Sequence, residues 1–285
     1  MITFNPKETS VPKMHGLLLD AIVPRPIAFA STVDEQGRVN LSPFSFFNVF
    51  SANPPILVFS PARRGRDNTT KHTYENVQKV PEVVINIVNY TIVHQASLAS
   101  VEYPEGINEF VKSGLTEEKS VLVKPPRVKE SPVAFECKVN QVIALGDKGA
   151  AGNLVICEVL LMHVNESVMN ESGRIDPWKL DAVARLGQDY YCRVQGESIF
   201  TVPKPGEKIK IGIDQLPEVI RASKLFSMHD LAILANVERL PFSGDPPDSL
   251  SNEMNQALAK ERLDRGDGEG AWEVLIGIEY QPQRS

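Results

Sequence analysis

Over the first two-thirds of the chain, apolar and polar residues alternate in short runs broken by turn formers. Residues 26–33 predict a strand, Asp34-Glu35-Gln36-Gly37 a turn, and residues 39–42 a return strand, together a hairpin. Pro54-Pro55 stops the next connection, and Ile56-Leu57-Val58-Phe59-Ser60 reads as a strand apolar on both faces. Asp67-Asn68-Thr69-Thr70 offers caps for a helix over residues 71–77. A strand over 83–88 follows, then short helices over 91–99 and 107–112. Two long strands, 133–145 and 153–164, flank the glycine-rich stretch Gly146–Gly152. Many strands with scattered short helices, and no regular alternation of the two, predict an antiparallel barrel and not a doubly wound sheet.

Beyond Val194 the pattern changes. Val202-Pro203-Lys204-Pro205-Gly206 reads as a linker, and helical spacing follows over 217–225, 228–240 and 249–263, with Ser249 and Asn252 as start signals. Leu250, Met254, Ala257 and Leu258 fall on one helix face, and residues 272–278 return to apolar character. These shifts divide the chain into residues 1–196 and 197–285. The second part has little margin as a lone core, so it is expected to pack on the barrel or on a partner subunit.

The net charge of −6 argues against sequence-independent nucleic-acid binding, which needs an excess of basic charge. Cys137, Cys157 and Cys192 form no C-x-x-C pair, and read as small buried hydrophobes in a chain suited to a reducing cytoplasm. The first residues lack the blocks of a signal peptide, and no apolar run is long enough to span a membrane. A soluble, cytoplasmic protein is expected. The five histidines lack metal-site spacing, so no metal is expected. Neither a G-x-S-x-G elbow nor a phosphate-binding P-loop occurs. Gly146, Gly149 and Gly152 have the wrong spacing for a dinucleotide fingerprint and read as a hairpin loop.

Three segments are richer in polar and conformationally special residues than a plain barrel needs. They are Pro24–Thr32, then Asn40–Asn48 with Asn53-Pro54-Pro55, and Arg63–Thr73 with Asn76 beyond. The third places four basic side chains and several hydroxyls before a helix start. It reads either as a phosphate cradle or as a solvated loop that caps the helix.

Together and in order, these segments resemble the flavin reductase-like family with the FMN-binding split-barrel fold. The resemblance rests on Arg25-Pro26-Ile27-Ala28, the run from Asn40 to Asn48, Lys71-x-Thr73-x-x-Asn76, and Val83-Val84-Ile85-Asn86-Ile87. It continues through Ser131–Cys137, Glu158–Val164 and Arg185-Leu186-Gly187-x-x-Tyr190. It implies a six-stranded antiparallel barrel with flanking helices, working as a homodimer with FMN near the interface. By that resemblance Ser45, Phe46 and Asn48 approach the flavin ring, Ser31 and Thr32 its edge or ribityl chain, and Lys71 and Thr73 the phosphate, helped by Ser60 and Thr70. His163 is the candidate where nicotinamide or substrate docks, with a partly exposed strand residue as the alternative.

Two departures stand out. Lys71-His72-Thr73 puts an imidazole where an aspartate is common, and Gln188 follows Gly187 where a second glycine is common. The implied function is an NAD(P)H-dependent flavin reductase, its reduced flavin passing to a monooxygenase or another acceptor. The alternative is a non-catalytic flavin-binding or electron-carrier protein on the same barrel.

Overall fold

The computed structural model describes residues 1–277, and the chain divides into two compact units, Met1–Ile199 and Phe200–Ser285. The first begins with helix α1 (Val11–Ala21), then the hairpin of β1 (Ala28–Val33) and β2 (Val39–Phe44). A second hairpin joins β3 (Phe47–Ala52) to β4 (Pro55–Phe59). Helix α2 (His72–Lys79) leads into β5 (Glu82–Ile87), followed by α3 (Val93–Leu98) and α4 (Glu109–Ser113). A short ladder of β6 (Glu117–Glu118) and β7 (Arg127–Val128) precedes the long pair β8 (Val133–Ala144) and β9 (Asn153–Val164). Helix α5 (Pro177–Leu180) and the small hairpin of β10 (Val183–Arg185) and β11 (Tyr191–Arg193) complete the unit.

Seven strands form one antiparallel sheet in the order β2-β1-β5-β8-β9-β4-β3. Its two edge strands are consecutive in sequence, with only Ser45 and Phe46 between them. Three peptide steps span at most about 11 Å, so the edges must be brought together and the sheet must roll. Phe44 of β2 meets Phe59 of β4, their ring centroids 5.4 Å apart. Register shifts in β8, at Glu136/Cys137 and at Val139/Gln141, mark the irregularities that bend a long strand.

The expected six-stranded barrel is corrected here: the sheet has seven strands and stays open between β2 and β3. The additional strand is β3, whose Asn48, Val49 and Phe50 are all exposed. With none of its residues fully buried, no alternation of apolar and polar positions marks it as a strand.

Rolling gives β1 two buried faces. Ala28 and Ala30 point into the barrel with Phe44, Phe59, Val83, Ile85 and Val155. Phe29 points outward into a second core with Leu41, Ile92, Ala96 and Phe110, which α3 and α4 cover. Cys137 and Cys157 are buried among the barrel residues, and burial pushes the Cys137 thiol up to about 12. At the β10–β11 turn, Gln188 adopts φ +52°, a conformation that favours glycine. The turn still forms, with Arg185 donating to the Gln188 carbonyl at 2.6 Å.

The second unit has its own core. Helices α6 (Glu218–Arg221), α7 (Met228–Leu234), α8 (Glu253–Leu263) and α9 (Gly268–Leu275) bury Ile220, Leu231, Leu234, Leu250, Leu263 and Trp272 together. Asn252 caps α8 by accepting from the Met254 and Asn255 amides, one of the two expected starts. The helix expected to reach residue 240 ends at Leu234, and that expected over 217–225 is the single turn α6. Of the apolar return expected at 272–278, Ile278 lies outside the described residues.

Candidate functional site

Helix α2 buries Thr73, Asn76 and Val77, spaced as one helix face. Val77 enters the barrel core, and the two polar residues meet the β1–β2 hairpin. Asn40 donates to Thr73 Oγ1 at 2.9 Å, and Asn76 donates to Thr32 Oγ1 at 3.1 Å. Thr32 and Asn40 are themselves cross-strand partners, so four buried polar side chains lock the helix start to the hairpin. Ser31, fully buried in β1, has no partner for its Oγ.

That lock places Lys71 and the preceding loop. Lys71 Nζ donates to Glu102 Oε1 at 3.1 Å, Arg64 Nε donates to the same oxygen at 2.9 Å, and Arg66 pairs with Oε2. Burial pushes the Glu102 carboxyl up, but hydrogen bonds from Lys71 and Arg64 outweigh it and hold it below its ordinary range. Thr70 turns away to Glu75, while its carbonyl accepts from Arg64. Asn40, Ser42, His72, Thr73, Ser100 and Glu109 share a cavity of about 20 Å³ with Arg64, Lys71 and Glu102. Glu109 is buried, and burial raises its carboxyl although the Leu41 amide donates to it at 2.9 Å.

A second group surrounds the β2–β3 junction. Ser45 Oγ lies 3.5 Å from Arg25 Nε, and the Phe46 carbonyl accepts from the Ser60 amide at 2.9 Å. Phe46 and Asn48 are exposed, and Asn48 Oδ1 accepts from Val49. Ser60 Oγ accepts from the Asn153 amide at 3.0 Å. Arg25 is buried and also donates to the carbonyls of Leu19, Ile22 and Leu186, clamping α1 and the turn after β10 beside Ser45.

His163 is not joined to either group. It sits near the end of β9 farthest from the 145–152 loop, with Nε2 2.7 Å from Glu136 Oε1. Glu136 is fully buried and also accepts from the Val121 and Leu122 amides. Those hydrogen bonds outweigh the burial that raises its carboxyl and hold it below its ordinary range. Glu102, Asn40, Asn76, Glu109 and Glu136 were not among the expected site residues. Asn40 and Asn76 carried a signal as motif residues; Glu102 carried none, since 31 positions separate it from Lys71.

The chemistry of this donor set fits a phosphorylated flavin. Arg64 and Lys71 line the cavity with Ser42, Thr73 and Ser100, Arg66 pairs with Glu102 at its rim, and Ser31 in β1 has an unused hydroxyl. Among the described residues, no group of three or more His, Cys, Asp or Glu side chains could hold a metal ion, and no helix is long and apolar enough to cross a membrane.

The chain belongs to the flavin reductase like domain family, whose match covers residues 20–179, all within the first unit. A protein of Aquifex aeolicus is 38% identical over 191 residues, which are 67% of this chain and 95% of that protein. Among solved structures, nitrilotriacetate monooxygenase component B from Bacillus cereus is 31% identical with TM-score 0.66, over 71% of this chain and 98% of that one. The 2-nitrobenzoate 2-nitroreductase of Pseudomonas fluorescens is 25% identical with TM-score 0.63, over 71% and 96% of the two chains. A split-barrel protein of Shewanella frigidimarina is 27% identical with TM-score 0.60, covering 72% of this chain and all of that one.

Proposed function

We propose that the first unit binds FMN and works as an NAD(P)H-dependent flavin reductase. The observation that carries this is the convergence of Arg64, Arg66 and Lys71 beside Thr73 at the start of α2. Lys71 and Thr73 hold the phosphate in this reading, Thr70 lends its carbonyl to place Arg64, and Ser31 and Thr32 line the approach from β1. Ser45, Phe46 and Asn48 bound the ring side, and Ser60 ties that junction to β9. Bound FMN would supply the hydride acceptor for the nicotinamide, so no protein acid or base is required. His163, oriented by Glu136, is assigned to the docking of nicotinamide or acceptor.

A homodimer belongs to this proposal. Val49 and Phe50 expose apolar side chains on edge strand β3, beside the ring-side residues, and an open edge of this kind favours pairing with another chain. Similarity to a monooxygenase component supports a partner oxygenase as acceptor of reduced flavin. A reducing cytoplasm suits the three free cysteines.

The function is tested by recording the visible spectrum of the FMN-loaded protein under anaerobic conditions while NADH or NADPH is added. Bleaching by either donor is the expected result. A yellow protein that neither donor bleaches is instead a flavin carrier.

A further inference from the structure

The phosphate cradle already contains an anion of its own. Glu102 takes the donors of Lys71 and Arg64 on one oxygen and pairs with Arg66 through the other. An FMN phosphate, with charge near −2 at neutral pH, would need the same donors. The cavity lined by Lys71, Arg64 and Glu102 is about 20 Å³, roughly the room of one water and not of a phosphate. Two anions sharing one ammonium group repel each other, so the carboxylate must give up its position as the phosphate arrives.

The segment that carries Glu102 suits such a withdrawal. It follows the end of α3 at Leu98 and runs along the surface, with Val101, Glu102, Pro104, Glu105 and Gly106 all exposed. The Glu102 side chain keeps 30% of its surface in solvent, so leaving the cradle exposes no buried charge.

We propose that Glu102 is an internal competitor for the flavin phosphate, and that it makes FMN an exchangeable ligand of this chain and not a permanently held group. The proposal rests on the reading of the cradle as an FMN phosphate site. Glu102 neutralises and orders the three cations. On binding it yields them, and on release it takes them back, which lowers the affinity and shortens the residence of the flavin.

The test uses the full chain freed of flavin, with Glu102→Gln and, as a control for general charge, Glu105→Gln. Glu105 is a carboxylate of the same segment that pairs with Arg38 at 2.6 Å. Titrations with FMN and with riboflavin, which lacks the phosphate, are followed by flavin fluorescence, and FMN release is timed after dilution. Glu102→Gln is expected to lower the FMN dissociation constant by about tenfold and to slow release by a similar factor. Riboflavin affinity should stay within about twofold, and Glu105→Gln should bind both flavins as the parent does.

Weaker or unchanged FMN binding in Glu102→Gln, with the parent binding FMN normally, would make Glu102 an organiser of the cations and overturn the proposal. Equal tightening by Glu105→Gln would overturn it too, by reducing the effect to net charge. If the parent itself binds FMN no better than riboflavin, the failure lies in the cradle reading, and this proposal falls with it.

Discussion

The two units bury their apolar residues in similar ways but treat polar residues differently. Among the described residues, thirteen polar or charged residues are buried in the first unit, and only Asp230 and Gln256 in the second. Burying a polar group is costly without a partner, so a small domain accumulates such groups only where geometry or ligand chemistry requires them. In the first unit Thr32, Asn40, Thr73 and Asn76 gather at the α2 start, and Ser60 meets the Asn153 amide at the start of β9. In the second, Asp230 closes a capping box with Ser227 and pairs with Lys260, and Gln256 bonds Ser223 and the Leu250 carbonyl.

Cavity size points the other way. The second unit has a cavity of about 540 Å³ lined by Ile211, Leu240, Phe242, Glu238 and Arg239, far larger than that beside Lys71. Its polar residues are largely exposed, and Glu238 is already paired with Lys208. The chemistry of the lining therefore outweighs volume in locating the site.

The comparison breaks if damage to the second core reaches the flavin site. Trp272 is buried in α9, and its indole N–H donates to the Leu234 carbonyl at 2.9 Å. Trp272→Ala is expected to destabilise the second unit by about 3–5 kcal/mol. FMN affinity should change by less than about twofold, as measured by denaturant unfolding alongside flavin titration. A parallel loss of affinity would show that the units do not divide the labour in this way.

The reverse substitution sharpens it. Lys71→Ala is expected to weaken FMN binding by about 1.5–3 kcal/mol, roughly a ten- to hundredfold rise in dissociation constant. The unfolding of the second unit should not move. Unchanged affinity would place Lys71 on a solvated face.

Asp230 offers a test by pH. Burial raises its carboxyl, but hydrogen bonds from Ser227 and Lys260 prevail and hold it below its ordinary value. A group with a depressed folded pKa stabilises above its unfolded pKa, about 3.9, and loses that contribution as pH falls through the folded value. Asp230→Asn should cost about 1–2 kcal/mol at pH 7, and the difference from the parent should shrink below about pH 4. Thermal unfolding across that range reads it, and a pH-independent difference would contradict the capping account.

The smallest effect is expected at Gln188. A side chain at φ +52° is strained, and glycine is not, so Gln188→Gly should stabilise the first unit by about 0.5–1 kcal/mol in denaturant unfolding. A loss of stability would mean that the glutamine side chain makes up for its backbone.

What the sequence reveals of this molecule depends on distance along the chain and on burial. The β1–β2 hairpin, α2 and the β8–β9 pair were legible because turn formers, caps and apolar spacing are local. Helix α1 was not: Ser10 and Pro12 stand at its start, but it buries no residue, so no core-facing apolar stripe confirms it. Strand β3 escaped because none of its residues is fully buried. At the site, Lys71 and Thr73 stood out beside a helix start. Glu102 was invisible because its place among three cations comes from the fold, with α3 lying between it and the loop it meets. His163 was legible as a polar interruption of β9, but its buried partner Glu136 became evident only when β8 and β9 were paired.

The central claim is that the first unit's polar cradle recognises a flavin by its phosphate. The most direct measurement is a pair of fluorescence titrations of the flavin-free full chain, one with FMN and one with riboflavin, under the same buffer and salt. The account predicts saturable binding of FMN at one flavin per chain, with affinity at least about tenfold above that for riboflavin, the worth of a charge-assisted hydrogen bond. Equal affinities, or no saturable binding of FMN, would contradict it.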